Sequence, residues 1–370
     1  MSPVNRSMTS DACKVACFIT PHGYGHAARA SAVMTAIHER APDVQFEIFT
    51  AVPPFLFRET LGGDFKCHHV MTDVGLFQKT PLEEDLDRTV EHLDAFLPFD
   101  AGLVKGLAET VTASRCRLVL CDIAPLGIAV AREAGVPSVL MENFTWDWIY
   151  EGYLEECREI QRHIDYLKSF FTRADYHIQT APVCDPGSAD LTTGPVAREP
   201  RMLKEEIRGA LKIPKDARAV LISMGGVPAR YEMPKQGNAP SDLFFIMPGT
   251  TETIRREDNF IMLPHQSGFY HPDLIRASDA VVTKTGYSTL AETYHTGLPI
   301  GYLSRDGFRE SPILERFIQD SMAGLRLSEK SFENGSWIES VDELLAISSP
   351  SDVSPNGAGQ VARFVMDLLR

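Results

Sequence analysis

The segment 277–299, ASDAVVTKTGYSTLAETYHTGLP, holds the residues of this chain that are best suited to binding a phosphate. Its apolar residues 280–282 predict a short buried strand, and a helix follows that stops at Gly297. One glycine and three hydroxyl residues lie around the turn between them: Thr285, Gly286, Ser288 and Thr289. A helix N-terminus attracts phosphate through unpaired N–H groups and a partial positive charge. Glu292 could then accept the hydroxyls of a ribose, although a capped helix in any α/β protein would explain the same residues.

A second glycine loop, PHGYGH at 21–26, follows the first predicted strand and opens the first predicted helix. Its G-x-G-x-x-A spacing is similar to a dinucleotide fingerprint, which also needs an acidic residue closing the second strand. The second strand closes with residues 49–51, FTA, so an NAD site is not favoured. At the helix start the dipole lowers the pKa of His26 and favours its neutral, proton-accepting form. A capping or merely exposed histidine remains the alternative.

A carboxylate and an aromatic cluster follow two further predicted strands. Asp122 comes directly after the apolar run 118–121 and could reach His26, fix its tautomer and stabilise the imidazolium. The same aspartate could instead cap a helix. The stretch 142–150, ENFTWDWIY, could stack on a sugar acceptor or belong to the core. The acceptor contacts that we predict are His22, Tyr24, Glu142, Asn143 and Trp146.

Strand and helix signals alternate through both halves of the chain, which predicts parallel sheets covered by helices. We expect an N-terminal domain over 1–195, a C-terminal domain over 196–347, and a linker with a terminal helix over 348–370 that could pack back on the first domain. Within the first half, 151–172 reads as one long amphipathic helix, and 82–112 as largely helical with a break at Pro98. Two such sheets leave a cleft between their C-terminal ends, where parallel sheets bind ligands.

Composition excludes several classes of function. The net charge is −14 without a basic run, which argues against nucleic acid and anionic lipid as partners. Seven cysteines without a C-x-x-C pair suggest a reducing compartment. Neither a signal peptide nor an apolar run of about 18 residues is present, so we expect a cytoplasmic protein without an integral membrane segment. Asp85-x-Asp87 lacks a preceding strand and reads as a solvated turn, so we expect no metal site and no cofactor.

Together these motifs resemble the two-domain GT-B glycosyltransferases over nearly the whole chain. The resemblance implies that His26 is the general base and that Asp122 completes the dyad of inverting, plant-type members. It implies a nucleotide-sugar donor bound by the second domain, with Glu292 on the ribose. The implied diphosphate-loop residues are Gly225, Gly226, Lys284, Thr285, Gly286, Ser288 and Thr289. The stretches HGYGHAARA, NFTWDWIY, SMGGVP and KTGYSTLAE are most similar to the N-terminal glycosyltransferase-like domain of plant L-arabinokinases, here without the kinase part.

Three positions depart from the plant-type pattern. Lys284 replaces a histidine that contacts the diphosphate, and a lysine can still supply the positive charge. The pair that reads the donor sugar falls at Arg309 and Glu310, which leaves the sugar open. Retaining members carry a glutamate eight positions before the ribose glutamate, where this chain has Lys284, so the retaining mechanism is disfavoured.

The sequence therefore predicts an inverting, metal-independent glycosyltransferase that uses a nucleotide sugar, UDP-linked by the resemblance, as its co-substrate. The alternative from another class is a non-catalytic module that binds a nucleotide sugar and regulates or channels it. A third hypothesis is an epimerase or hydrolase of the nucleotide sugar. The acceptor is not readable from the sequence.

Overall fold

The computed structural model describes residues 13–80, 83–225, 240–348 and 353–370. The elements of the first half are β1 (Lys14–Ile19), α1 (Tyr24–Arg40), β2 (Gln45–Thr50), α2 (Phe55–Thr60), β3 (Phe65–His69), β4 (Gln78–Thr80), β5 (Glu83–Glu84), α3 (Leu86–Phe96), α4 (Ala101–Ala113), β6 (Cys116–Asp122), α5 (Pro125–Ala134), β7 (Ser138–Glu142), α6 (Trp146–Glu151), α7 (Gln161–Phe171), β8 (Tyr176–Thr180) and β9 (Leu191–Thr193). A short 3-10 turn, Arg158–Ile160, precedes α7.

Seven strands of the first half form one parallel sheet in the order β3-β2-β1-β6-β7-β8-β9. The central strands β2, β1, β6 and β7 are mostly apolar and almost fully buried, as a sheet covered on both faces by helices requires. The register pairs Ile19 with Asp122 at the C-terminal ends of β1 and β6. The glycine loop after β1 is thereby placed beside that carboxylate.

The second half repeats the architecture. Its elements are α8 (Lys204–Ala210), β10 (Arg218–Ser223), β11 (Leu243–Pro248), β12 (Arg255–Glu257), β13 (Phe260–Leu263), α9 (His271–Ala277), β14 (Ala280–Lys284), α10 (Tyr287–Thr296), β15 (Ile300–Leu303), α11 (Ser311–Ser321), β16 (Gly324–Leu327), α12 (Glu329–Glu333), a 3-10 turn (Ser336–Ser340), α13 (Val341–Ala346) and α14 (Gly357–Leu368). The sheet order is β12-β13-β11-β10-β14-β15-β16, parallel except for the edge strand β12. The register pairs Ser223 with Thr283, so the loops after β10 and β14 are neighbours.

Two helical expectations need correction. Residues 151–172 do not form one helix, because α6 ends at Glu151 and a run of tight turns over 152–157 precedes α7. Residues 82–112 are interrupted near Pro98 as predicted, but the segment opens with strand β5. Asp85 of the acidic turn caps α3, since its carboxylate accepts a hydrogen bond from the Arg88 amide at 3.1 Å.

The terminal helix α14 lies on the first half of the chain. Its apolar residues share a buried cluster with α1: Val361, Ala362 and Val365 pack with Val33 and Ile37. The chain therefore crosses between the two sheets twice, once after β9 and once before α14. None of the helices in the described ranges is long and apolar enough to span a bilayer.

Two glycines in neighbouring helices test how tightly the first core is packed. A Cβ at Gly127 of α5 would lie 2.6 Å from both the Cys121 sulfur and the Phe18 Cβ, whereas a Cβ at Gly106 of α4 meets nothing within 4 Å. We expect Gly127→Ala to lower the free energy of unfolding by about 1–3 kcal/mol through overpacking. Gly106→Ala should raise it by roughly 0.5–1 kcal/mol, because alanine loses less backbone entropy in a helix. Urea unfolding measures both, and equal effects would contradict the packing described.

Candidate active site

A cleft of about 700 Å³ lies between the C-terminal edges of the two sheets and is lined by residues of both halves. Its walls contain most of the predicted site residues: His22, Tyr24, His26, Asn143, Gly225, Lys284, Thr285, Gly286, Ser288, Thr289, Glu292 and Glu310. Gly226 lies outside the described residues. Asp122 sits directly behind the wall.

The histidine and aspartate predicted as a pair are in contact. His26 lies in the first turn of α1, and its Nδ1 is 3.0 Å from Oδ1 of Asp122 at the end of β6. The aspartate is 1% exposed, whereas the imidazole lines the cleft. A proton on Nδ1 shared with the carboxylate leaves Nε2 as the acceptor. This is the tautomer that a general base needs.

Sequence reasoning missed a third member of this group. Arg29, fully buried on α1, donates from Nε to Asp122 Oδ2 at 2.9 Å and from Nη2 to Asp122 Oδ1 at 2.6 Å. It also donates to Asn143 Oδ1 at 2.6 Å and stacks on the Tyr287 ring of the second half at 4.9 Å. The available signal was an arginine three residues after His26, which places both on one helix face.

Burial and charge hold this group in one protonation state. Burial lowers the pKa of His26, and the Arg29 cation adds to that effect, while the Asp122 carboxylate opposes it. Burial acts to raise the pKa of Asp122, yet Arg29 and His26 together hold it below its ordinary value. At neutral pH the pair is therefore a neutral imidazole next to a carboxylate.

His22 is a second neutral imidazole in the same loop. Burial, with smaller contributions from His26, Arg305 and Lys284, lowers its pKa to about 3. Its Nδ1 accepts a hydrogen bond from the Leu76 amide at 3.4 Å, and the ring stands edge-on to Trp146. The contact to Leu76 connects the glycine loop to the segment that leads into β4.

The opposite wall carries the turn between β14 and α10. The first hydrogen bond within α10 runs from the Leu290 amide to Gly286 O, so the amides of 287–289 have no partner inside the helix. Lys284 ends β14 beside them, and burial together with the nearby Arg305 lowers its pKa to about 8. Ser288 Oγ donates to Gly25 O at 2.6 Å and joins the two loops across the cleft.

Glu292 is held by two side chains of the second half. Arg198 Nε donates to Oε1 at 2.7 Å, and His271 Nδ1 lies 2.9 Å from Oε2. His271 Nε2 is in turn 3.0 Å from Ser223 Oγ at the end of β10. Although burial opposes it, Arg198 and His271 keep the pKa of Glu292 below its ordinary value. The carboxylate is therefore ionised and fixed in orientation.

A second polar contact across the cleft involves Glu310, which precedes α11. Asn143 Nδ2 donates to Glu310 Oε1 at 2.7 Å, and burial raises the pKa of this carboxyl. Beside it lies Arg305, also missed by sequence reasoning, which stacks on Phe308 and donates to Glu84 Oε1 at 2.6 Å. Arg305 follows β15, so its position at a strand end was the available signal.

Comparison with solved structures identifies the architecture. The chain superposes on UDP-glucose: anthocyanidin 3-O-glucosyltransferase in complex with UDP with a TM-score of 0.62, at 14% identity, over 97% of this chain and 99% of that one. The spinosyn forosaminyltransferase SpnP gives a TM-score of 0.58 at 16% identity over 96% and 94% of the two chains. MurG of Acinetobacter baumannii gives 0.54 at 13% identity over 96% and 99%. This chain has the GT-B glycosyltransferase fold. The predicted fold class is confirmed.

One curated protein is similar in sequence. L-arabinokinase of Arabidopsis thaliana is 26% identical over 354 residues, which are 94% of this chain and 34% of that protein. The chain thus spans about a third of the length of that relative. No protein-family model matches the chain.

Within the GT-B cleft, two predicted acceptor residues do not line the walls. Glu142 ends β7 and accepts hydrogen bonds from His177 at 2.8 Å and Gln179 at 3.0 Å, because it pairs with the neighbouring strand β8. Trp146 is fully buried, stacked on Tyr150 and behind His22. The Trp146 side chain therefore belongs to the hydrophobic core of the first half.

Arg309, one of the two predicted donor-sugar residues, also lies outside the cleft walls. Arg309 reaches Trp148 O and Glu151 in the first half and stacks on the Trp148 ring at 4.1 Å. Its guanidinium therefore joins the two halves outside the walls, and Glu310 alone of the predicted pair lines the cleft.

Proposed function

We propose that this protein transfers a sugar from a nucleotide-sugar donor, UDP-linked, to an acceptor hydroxyl with inversion at the anomeric carbon. One observation carries the proposal: a neutral imidazole oriented by a carboxylate faces, across one cleft, a helix N-terminus with an adjacent lysine. The first arrangement suits proton abstraction, and the second suits a diphosphate. The fold is that of glycosyltransferases, which supports the same reaction class.

The proposed reaction is a single displacement. Nε2 of His26 takes the acceptor proton while the acceptor oxygen attacks the anomeric carbon, and the bond from that carbon to the phosphate oxygen breaks. The electron pair leaves with the diphosphate, and attack opposite the leaving group inverts the carbon. Asp122 fixes the ring and balances the charge of the imidazolium. Lys284 and the amides at the start of α10 stabilise the departing diphosphate, so the proposal requires neither a metal ion nor a cofactor.

The proposed donor contacts follow the second wall. Glu292, oriented by Arg198 and His271, accepts the ribose hydroxyls through its remaining lone pairs. Gly225, Thr285, Gly286, Ser288 and Thr289 surround the diphosphate. Glu310, held by Asn143, is placed to read a hydroxyl of the donor sugar. A thermal-shift panel of UDP-, GDP- and TDP-sugars tests which nucleotide base the donor carries, because a ligand that binds only the native state raises the Tm.

A second candidate function is a binding module without transfer, and one observation favours it. Arg29 already neutralises the carboxylate that would stabilise a protonated His26. Purified protein incubated with a UDP-sugar and candidate acceptors separates the two functions. Release of UDP over time supports transfer or hydrolysis, and a product with a new glycosidic bond identifies transfer. Saturable binding without turnover supports the binding module.

His26→Ala tests the proposed base. We expect kcat to fall by about a hundredfold to ten-thousandfold, the usual contribution of a general base, with UDP affinity unchanged. Isothermal titration measures the affinity, and a UDP-release assay measures the rate. His69→Ala is the control, because His69 is exposed at the end of β3, away from the cleft walls. Transfer at the parental rate by the His26 variant would refute the assignment.

Lys284→Met tests the proposed diphosphate contact. We expect UDP affinity to fall by about tenfold to a hundredfold, the effect of losing a hydrogen bond from a charged donor. Since the pKa of Lys284 is about 8, the parental protein should bind UDP more weakly as pH rises from 7 to 9 and the ammonium loses its proton. Lys284→Arg should bind equally at both pH values, because arginine stays charged.

Lys215→Met, at an exposed position in the loop before β10, is the matched control and should leave UDP binding unchanged. The diphosphate role of Lys284 would be wrong if Lys284→Met bound UDP as tightly as the parental protein at pH 7.

A further inference from the structure

The arginine that binds Asp122 occupies an unusual position for a histidine–aspartate pair. Both oxygens of Asp122 accept hydrogen bonds from Arg29, and one of them is also the partner of His26 Nδ1. Arg29 and Asp122 are each 1% exposed, so water screens neither charge. A carboxylate that shares its charge with a guanidinium stabilises an imidazolium less than a carboxylate that serves the histidine alone.

The tautomer of His26 depends on the same contact. Arg29 Nη2 lies 3.3 Å from Nδ1, whereas Asp122 Oδ1 lies 3.0 Å from it. If Nδ1 accepted from Arg29, the ring proton would sit on Nε2, and Nε2 could not act as the base. Because Nη2 donates to Asp122 Oδ1 at 2.6 Å, the guanidinium is engaged by the carboxylate, and Nδ1 is free to donate to Oδ1.

Arg29 also ties the pair to the other half of the molecule. Its guanidinium stacks on Tyr287, the first residue of α10, directly after Gly286 of the predicted diphosphate loop. It donates to Asn143, which bridges to Glu310 before α11. The position of the histidine–aspartate pair is therefore linked to both elements of the second half that meet the donor.

The other charged or titratable groups around His26 are few. On the β1–α1 loop, His22 is neutral at working pH. Tyr287 of α10 acts through its contact with Arg29. Asp73, which precedes β4, lies behind the His26–Asp122 pair, and burial raises its pKa to about 7. The remaining ring against His26 is Phe144, which is uncharged. Within the described ranges, Arg29 and Asp122 are thus the two charges in direct contact with the imidazole.

We propose that Arg29 is a positioning residue that keeps His26 in its Nδ1–H tautomer and takes up the charge of Asp122 that would otherwise stabilise a protonated His26. Its kinetic consequence rests on the function proposed above. Arg29 favours the neutral form of His26 over its protonated form. Transfer therefore continues at lower pH than it would with a histidine–aspartate pair that lacks the arginine. Because Arg29 also stacks on Tyr287 of the second half, its effect on His26 depends on contact between the two halves.

The test measures His26 directly, without turnover. Histidine ring ¹³C and ¹⁵N shifts are followed from pH 4 to 9 in the parental protein, Arg29→Gln, Arg29→Lys and Arg40→Gln, with His26→Gln identifying the signal. We expect Arg29→Gln to raise the titration midpoint of His26 by about one to two pH units. Arg29→Lys should stay close to the parental midpoint. Arg40→Gln, at the exposed end of α1, should titrate as the parental protein does.

Kinetics supply the second readout. The acidic limb of the kcat/KM profile should move to higher pH in Arg29→Gln by the same amount as the His26 midpoint, with Arg40→Gln unchanged. Identical His26 midpoints in the parental protein and Arg29→Gln, or a neutral parental ring protonated on Nε2, would overturn the proposal. If Arg29→Gln fails to fold by circular dichroism, the ring tautomer of His26 in the parental protein still decides. Absence of transfer in the parental protein would refute the proposed function and leave the titration result standing.

Discussion

The buried ion pair between Arg29 and Asp122 is the constraint on which the cleft depends. Removing two charges from water costs several kcal/mol per ion, and the pair is stable only if further hydrogen bonds satisfy both groups. The structure meets that requirement with His26, Asn143 and the ring of Tyr287. These partners come from the first turn of α1, from the residue after β7, and from α10 of the other half. Truncating either charge would leave the other one buried and unpaired, which makes the arrangement specific.

Three of the contacts that close the cleft are polar. Ser288 bonds to Gly25 O, Asn143 bonds to Glu310, and Arg305 pairs with Glu84, each between the two halves. Interfaces of this kind can open at modest cost, because water replaces each lost hydrogen bond. An apolar seam of the same size would hold the halves together more strongly. Polar contacts of this kind therefore suit the proposed function, in which the site admits a nucleotide sugar and releases a nucleotide.

The sequence was informative where a function needs a particular residue at a strand end. The strands, the His26–Asp122 contact and the loop from Lys284 to Thr289 all follow from apolar runs that end in glycine or polar residues, and parallel strands bring those ends to one edge. Arg29 and Arg305 were missed because their partners are distant in sequence, at Asp122 and Glu84. Local pattern does not reveal a pairing that only the tertiary fold creates.

The residues that were predicted to line the cleft but do not were misplaced for two physical reasons. Glu142 lies on a strand whose side chains alternate between faces, and a one-residue difference separates it from Asn143, which does line the cleft. Trp146 and Arg309 carry groups that could bind a sugar, but large side chains bury apolar area most effectively against each other, as Arg309 does against Trp148. Residue type therefore identified the right segments and did not determine which side chain faces the ligand.

The cations that line the cleft differ in whether a carboxylate neutralises them. In the described part of the chain, Arg29, Arg198 and Arg305 each face a carboxylate, at Asp122, Glu292 and Glu84. Lys284 is the lining cation that no carboxylate pairs in those residues, and burial brings its pKa to about 8. A diphosphate would therefore meet positive charge mainly at Lys284 and at the start of α10. Since a bound dianion favours the charged ammonium, binding of the proposed donor would raise the pKa of Lys284 and strengthen the proposed contact with the diphosphate.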